Sequence, residues 1–275
     1  MRLYAFVVYA FLYLPIGVIA VFSFNAGRHA SQFTGFSVQW YGRALSNPFV
    51  MEALWTSFSV ALTSALIASI FGTMAALALH GMKGRLRVVA DALIYVAVMV
   101  PGIVIGIATL IALVTLFDWI NPLLAQLGPE GQAPQLAMGY GSLIAAHALF
   151  SMSLVIIILR ARLSGMDRSL IEASADLYAT PLSTFRQVTL PLIFPGILAG
   201  FLLSFTFSFD DFIIAFFVAG PETTLPIYVF SSIRRGVTPE INAIGTLVLV
   251  VSLVLLVTAQ VILRHGPRKQ RSDAA

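Results

Sequence analysis

The chain alternates between long apolar runs and short polar segments. Six runs are near or above the about 20 apolar residues that a helix needs to cross a bilayer: Leu3 to Phe24, Ala53 to Leu79, Val88 to Leu116, Leu136 to Leu159, Leu192 to Ala219 and Ile241 to Leu263. The pattern predicts an all-α membrane protein of about six spans. The first run follows Arg2 as a signal peptide would, but it exceeds the about 7–15 residues of a secretory apolar core and reads as a retained helix. Small residues recur at four-residue spacing, at Gly102 and Gly106, at Gly196 and Gly200, and at Ala61, Ala65 and Gly72. Such positions let helix backbones approach closely.

One polar island interrupts the pattern, from Arg160 to Pro191. Ser169 followed by Glu172 fits a capping box, which predicts a helix starting near Ser169. Leu170, Ala173, Ser174 and Leu177 then share one face at helical spacing. Asp167 and Glu172 lie near the positive end of that helix, where carboxylates are favoured. Thr180-Pro181 reads as an N-cap followed by Pro in a first turn, opening a second short helix with Leu182, Phe185 and Val188 on one side. The expected product is two short amphipathic helices at an angle along the membrane surface. Periodicity alone suits a pair resting on lipid headgroups as well as an element that docks a partner.

Composition agrees with the spans. Of 275 residues, 59% are hydrophobic and 10% charged, with a mean hydropathy of +0.94. Soluble domains carry about 25% charged residues. No polar stretch is long enough for a large soluble domain. There is no cysteine, which excludes disulfides and thiolate chemistry. The net charge of +4 comes from basic residues clustered at the ends of apolar runs, so it is no nucleic-acid signal. With the N-terminus inside, the inner segments hold all but Arg28, Arg43, Arg234 and Arg235 of the 16 basic residues. The positive-inside rule then places both termini, the polar island and the basic tail 264–275 in the cytoplasm. Asp118 to Gln135 forms an outer loop whose Pro122, Pro129 and Pro134 predict turns. Gly220 to Glu240 forms another, and Thr238-Pro239 predicts the start of the last helix. The reading is one transmembrane unit over 1–275.

The polar island resembles the coupling loop of ATP-binding-cassette importer permeases. The family pattern is Glu-Ala-Ala, three residues, Gly, nine residues, Ile, one residue, Leu-Pro. Glu172 and Ala173 match, Ser174 stands for the second Ala, Val188 for Ile, and Leu190-Pro191 fall at the right distance. Tyr178 occupies the Gly position, where a side chain penalises the bend between the helices. Further stretches (Ser208 to Phe212, Gly220-Pro221 with Leu225-Pro226, Gly236 to Asn242) are similar to permeases of spermidine/putrescine-type importers. The resemblance implies a type I importer permease in a bacterial inner membrane, beside a second related permease, two ATPase subunits and a periplasmic binding protein. It assigns ATPase coupling to Ser169, Glu172, Ala173, Ser174, Asp176, Tyr178, Ala179, Val188, Leu190 and Pro191. The chain has no Gly-x-x-x-x-Gly-Lys-Ser/Thr phosphate loop, so ATP and Mg²⁺ belong to the partner and the chain is not itself an enzyme.

Carboxylates inside a span cost about 2.5–3.5 kcal/mol each at mid-helix and face cavities or partners. Asp210 and Asp211 lie well into the fifth run, with Phe209 and Phe212 beside them. On a continuous helix the two would point about 100° apart. One reading has them line the pathway of a cation such as a polyamine, its methylenes against the phenylalanines. The other is a helix-to-helix hydrogen bond. His147, alone in the fourth run, reads as an interhelical hydrogen bond. Asp91 reads as the partner of Arg87, four residues earlier. The competing function is an ion-driven secondary transporter using Asp210, Asp211 and His147. It leaves the coupling pattern without a purpose.

Overall fold

The computed structural model describes residues 2–28, 32–128, 133–167 and 169–264. The expected turn at Pro129, the charge at Arg168 and the tail beyond Arg264 lie outside the described residues. The described chain is helical, with one isolated antiparallel bridge between Asn25 and Phe36. Its helices are α1 (Arg2–Phe22), α2 (Gln39–Ser46), α3 (Pro48–Gly81), α4 (Arg85–Met99), α5 (Gly102–Leu124), α6 (Tyr140–Ser164), α7 (Ser169–Asp176), α8 (Pro181–Thr184), α9 (Leu190–Asp210), α10 (Ile213–Val218), α11 (Leu225–Arg235) and α12 (Pro239–Arg264).

Among the described residues five helical stretches are long and apolar enough to cross a membrane: α1, α3, α5 with its following turn, α6, and the run Pro181–Asp210. In α12 the shorter stretch Pro239–Val254 is apolar. The third expected span is not one helix. Pro101 has no amide hydrogen, Val100 is extended (ψ 134°), and the chain divides there into α4 and α5. Pro122 does not end α5 as expected. It sits inside the last turn, where one lost hydrogen bond is tolerated, and a 3₁₀ turn (Ala125–Leu127) follows. Asn121 then closes the loop between α5 and α6, its side chain bonding both the amide and the carbonyl of Leu136 (2.8 and 3.0 Å).

The chain forms two compact units. In the first, Met1–Met51 with Tyr228–Ala275, α12 packs on α1 and α2. Buried Asn25 organises the loop after α1. Its amide group donates to the Gln32 carbonyl (2.7 Å) and accepts from the Thr34 amide (2.8 Å), and its carbonyl takes the Trp40 indole N–H (2.7 Å). Thr238-Pro239 starts α12 as expected.

The second unit, Glu52–Ile227, is built around α6 and α9. Two hydrocarbon clusters lie along α6. One joins Leu143 and Ala146 to Val60, Ile214 and Val218. The other joins Val155, Leu159 and Leu163 to Ala68, Ala76, Ile94 and Ile193. Between them α6 contributes His147 and Ser151, opposite Ser204 and Ser208 of α9. Lipid and core are equally apolar, so close packing rather than water exclusion holds such helices together. The small residues serve that packing. A Cβ on Gly72 would stand 2.9 Å from the Val155 side chain, and one on Gly200 would stand 3.4 Å from it, so Val155 fills the space two glycines leave on α3 and α9.

Candidate functional site

The polar island folds as a helical hairpin. Ser169 is the first residue within α7 rather than the cap ahead of it. The side-chain cap is Asp167, whose carboxylate accepts the Ser169 amide hydrogen at 3.0 Å. That bond holds the Asp167 carboxyl below its usual range, with the Ser169 hydroxyl adding to the effect. A depressed carboxylate pKa stabilises at pH above the ordinary value. The cap is therefore intact near neutrality and is lost as pH falls through the lowered pKa.

Tyr178 makes the bend that the family pattern assigns to Gly. It is the one non-glycine residue with positive φ (58°) among the described residues. Its amide bonds the Ala175 carbonyl (2.9 Å) and the Ala179 amide bonds the Ser174 carbonyl (3.1 Å). These two bonds form a Schellman motif with Tyr178 in the left-handed position. The conformation costs a non-glycine residue about 1–2 kcal/mol, which the two carbonyl caps offset. The ring remains 96% exposed.

Ser174, on the face it was expected to share with Leu170, Ala173 and Leu177, is half-buried. Its hydroxyl meets that of Thr184 at 2.7 Å and ties α7 to α8. Thr180 caps α8 as expected, accepting the Ser183 amide at 3.3 Å. The second short helix is not separate from the fifth span, however. A π-turn, Phe185–Thr189, carries α8 into α9 without a break, and the Leu190 amide bonds the Phe185 carbonyl five residues back. Pro191 has no amide hydrogen for the Gln187 carbonyl, so the wider turn falls where the α ladder would already be interrupted.

Of the residues the resemblance assigns to coupling, Ser169, Glu172, Ala173 and Asp176 lie exposed on α7, and Tyr178 and Ala179 form its end. Val188 in the π-turn and Leu190 at the start of α9 are half-buried, and Pro191 is exposed. Leu177, Tyr178 and Leu182 are 81%, 96% and 67% exposed, so the hairpin tip is apolar and uncovered.

Asp210 and Asp211 stand at the far end of α9, about 30 Å away at 1.5 Å per residue. They are not on one continuous helix, so the expected 100° offset does not apply. Asp210 is the last residue of α9, Asp211 is extended (φ −71°, ψ 120°), and α10 begins after Phe212. The break separates their surroundings. The Asp211 carboxylate accepts the Ala215 amide (3.0 Å) and caps α10. It also lies 3.6 Å from Nε2 of buried His147, too far for a hydrogen bond. The other ring nitrogen of His147 meets the Ser208 hydroxyl at 2.6 Å, and Ser208 meets Ser64 at 3.0 Å. His147 is thus the expected interhelical bond, within a chain that joins α3, α6 and α9. Asp210 is exposed and has no hydrogen bond or ion pair among the described residues. Phe209 beside it ends an aromatic column. Phe209 stacks on Phe205 (6.0 Å between ring centres), and Phe205 meets Phe58 (5.8 Å) and Phe201 (6.5 Å). Phe212 packs on Phe216 (5.5 Å).

Two polar links at the loop end were not anticipated. The main partner of Asp91 is Arg160, which grips both carboxylate oxygens (2.6 and 3.2 Å), while Arg87 stands at 3.8 Å. Arg162 donates Nε–H to the Leu192 carbonyl (3.0 Å). Nothing local in the sequence marks Asp91 and Arg160, 69 residues apart, as partners.

Five helical stretches long and apolar enough to cross a membrane, among the described residues, mark a polytopic membrane protein. The chain belongs to the family of binding-protein-dependent transport system inner membrane components, whose pattern matches residues 68–272. It is therefore an inner-membrane permease subunit of an ABC importer, and ATP hydrolysis falls to a separate subunit. Among similar proteins is the spermidine/putrescine transport system permease protein PotC of Haemophilus influenzae, 35% identical over 264 residues, 96% of each chain. The putrescine transport system permease protein PotI of Escherichia coli is 38% identical over 248 residues, 88% of this chain and 82% of that one. The fold is shared with a bacterial ABC transporter involved in import of the acidic polysaccharide alginate (TM-score 0.75, 15% identity, 97% of this chain and 95% of that one). It is also shared with the MetNI methionine ABC transporter (TM-score 0.61, 16% identity, 80% and 97%).

Proposed function

We propose that this permease carries a polyamine-class cation, of putrescine or spermidine size, handed to it by a periplasmic binding protein. In this reading a second, related permease completes the passage. Paired ATPase subunits, which bind ATP and Mg²⁺, press on the hairpin. Both termini and the hairpin face the cytoplasm, as the distribution of basic residues favours. The substrate class follows the relatives named for polyamine transport.

The observation that carries the proposal is the division of the two aspartates. Asp211 is occupied by the α10 amide, whereas Asp210 is unpaired and flanked by the Phe209 column. An ammonium group matches the carboxylate, and the methylenes of an alkyl amine match the rings, which attract cations through their faces. Phe212, in the break, stands with Phe216 and belongs to the same proposed lining.

The Asp210→Asn variant tests the assignment. A hydrogen bond to a charged group contributes about 1.5–3 kcal/mol, so the apparent affinity for the transported cation should fall by about 10- to 150-fold. Uptake of labelled putrescine by vesicles containing the full importer measures it, with yield of the assembled complex as control. Unchanged half-saturation at unchanged yield would remove Asp210 from the pathway.

A further inference from the structure

The hairpin must pass its motion to the spans, and its base shows where. Arg162 of α6 and Leu192 of α9 flank the loop, and the bond between them (3.0 Å) draws its two ends together. The stem of Arg162 lies 3.4 Å from where a Cβ on Gly196 would be, so the contact is packed as well as bonded. Two residues earlier, Arg160 holds Asp91 of α4 by a two-point grip, the Arg–carboxylate geometry that resists rotation as well as separation. The Arg160 and Asp91 side chains are 21% and 27% exposed, so neither is freely solvated. Following α4 toward the other membrane face, the chain breaks at Val100-Pro101 before α5. Leu163 and Ile193 fill the space beneath the base, together with Ile94 of α4. The end of α6 is thereby fastened to α9 on one side and to α4 on the other, at the point where the hairpin begins.

We infer that the Asp91–Arg160 pair, with the Arg162–Leu192 bond, is a positioning node that transmits hairpin displacement into α4 and α9. It makes the break at Pro101 respond when α7 is pushed. This rests on the reading of the hairpin as the ATPase-coupling element. None of these residues touches ATP or the transported solute. The node conveys motion, and its loss leaves an engine that turns over without load.

The test uses the complete importer in nanodiscs and in vesicles, with three readouts: ATPase retained on purification, ATP hydrolysis stimulated by the loaded binding protein, and solute taken up per ATP hydrolysed. Arg160→Ala and Asp91→Asn should keep the ATPase bound and lower uptake per ATP by about 10-fold, within the range by which residues between coupled sites alter coupling. Arg160→Lys keeps charge but not the fork and should fall between. The charge exchange Asp91→Arg with Arg160→Asp should recover uptake per ATP to within about threefold of its parent. It is made in an Arg87→Gln background, because Arg87 would otherwise face a like charge. Single variants with unchanged uptake per ATP overturn the inference. So do variants in which yield and uptake fall together at constant uptake per ATP, and an exchange that assembles yet stays uncoupled. If the unaltered chain fails to retain its ATPase, the coupling reading itself fails, and the inference with it.

Discussion

Deleting residues 169–178 leaves a chain that inserts in the membrane and no longer holds its ATPase. The hairpin tip carries Leu177 and Tyr178 at 81% and 96% exposure, held on a capped, hydrogen-bonded frame rather than a flexible loop. Fully burying one large apolar side chain contributes about 1.5–3 kcal/mol. Two such anchors together account for about 10²- to 10⁴-fold in affinity. Because the tip is already folded, little ordering cost is deducted on docking. A milder double variant, Leu177→Ala with Tyr178→Ala, should lose most of the same affinity while keeping α7, since neither side chain is packed within the chain. Co-purification of the ATPase with tagged permease reads both. Retention after the deletion would show that docking lies elsewhere on the chain.

Replacing His147 with Leu should cost both stability and transport. The imidazole is buried, bonds Ser208, and faces the Asp211 carboxylate at 3.6 Å. Leucine fills the volume but leaves the Ser208 hydroxyl with Ser64 alone and the carboxylate without its neighbour. Hydrogen bonds between membrane helices average about 0.6 kcal/mol, whereas a buried polar group left unsatisfied costs about 1–3 kcal/mol. The smaller figure applies here, because Ser208 keeps its contact with Ser64 and Asp211 keeps the Ala215 amide. Thermal unfolding of the purified importer should shift downward, and uptake should fall with it. His147→Asn, which can still bond Ser208, should recover part of the stability. A His147→Leu protein with unaltered unfolding and uptake would mean that the polar layer carries no load.

Much of this is legible in the sequence, for reasons that differ along the chain. Spans announce themselves because twenty apolar residues have few other stable settings. Thr180-Pro181 and Thr238-Pro239 mark helix starts because capping is local chemistry. The spacing from Glu172 to Pro191 marks the hairpin. Where a proline acts is less legible. Pro101 divides a span, Pro122 rides inside a helix, and Pro191 is absorbed by a π-turn. The difference lies in which carbonyl loses its partner and what lies nearby, and neither is local. Asp210 and Asp211 look equivalent in sequence, and only the break in α9 gives one a partner and leaves the other bare. The bond from Arg160 to Asp91 joins residues 69 apart, a distance across which a single sequence carries no register. Tyr178 shows the reverse case. A residue that disfavours the bend occupies it, because two carbonyl caps hold it there.

In the proposed mechanism, motion powered by nucleotide in another subunit reaches this chain through its hairpin and moves solute across the membrane. Vesicles containing the assembled importer, clamped to zero proton and sodium gradients and given loaded binding protein outside, test it most directly. The account predicts uptake that starts when ATP is supplied to the ATPase side and stops when residues 169–178 are removed. Uptake by this chain without the ATPase, driven by an imposed proton or sodium gradient, would contradict it.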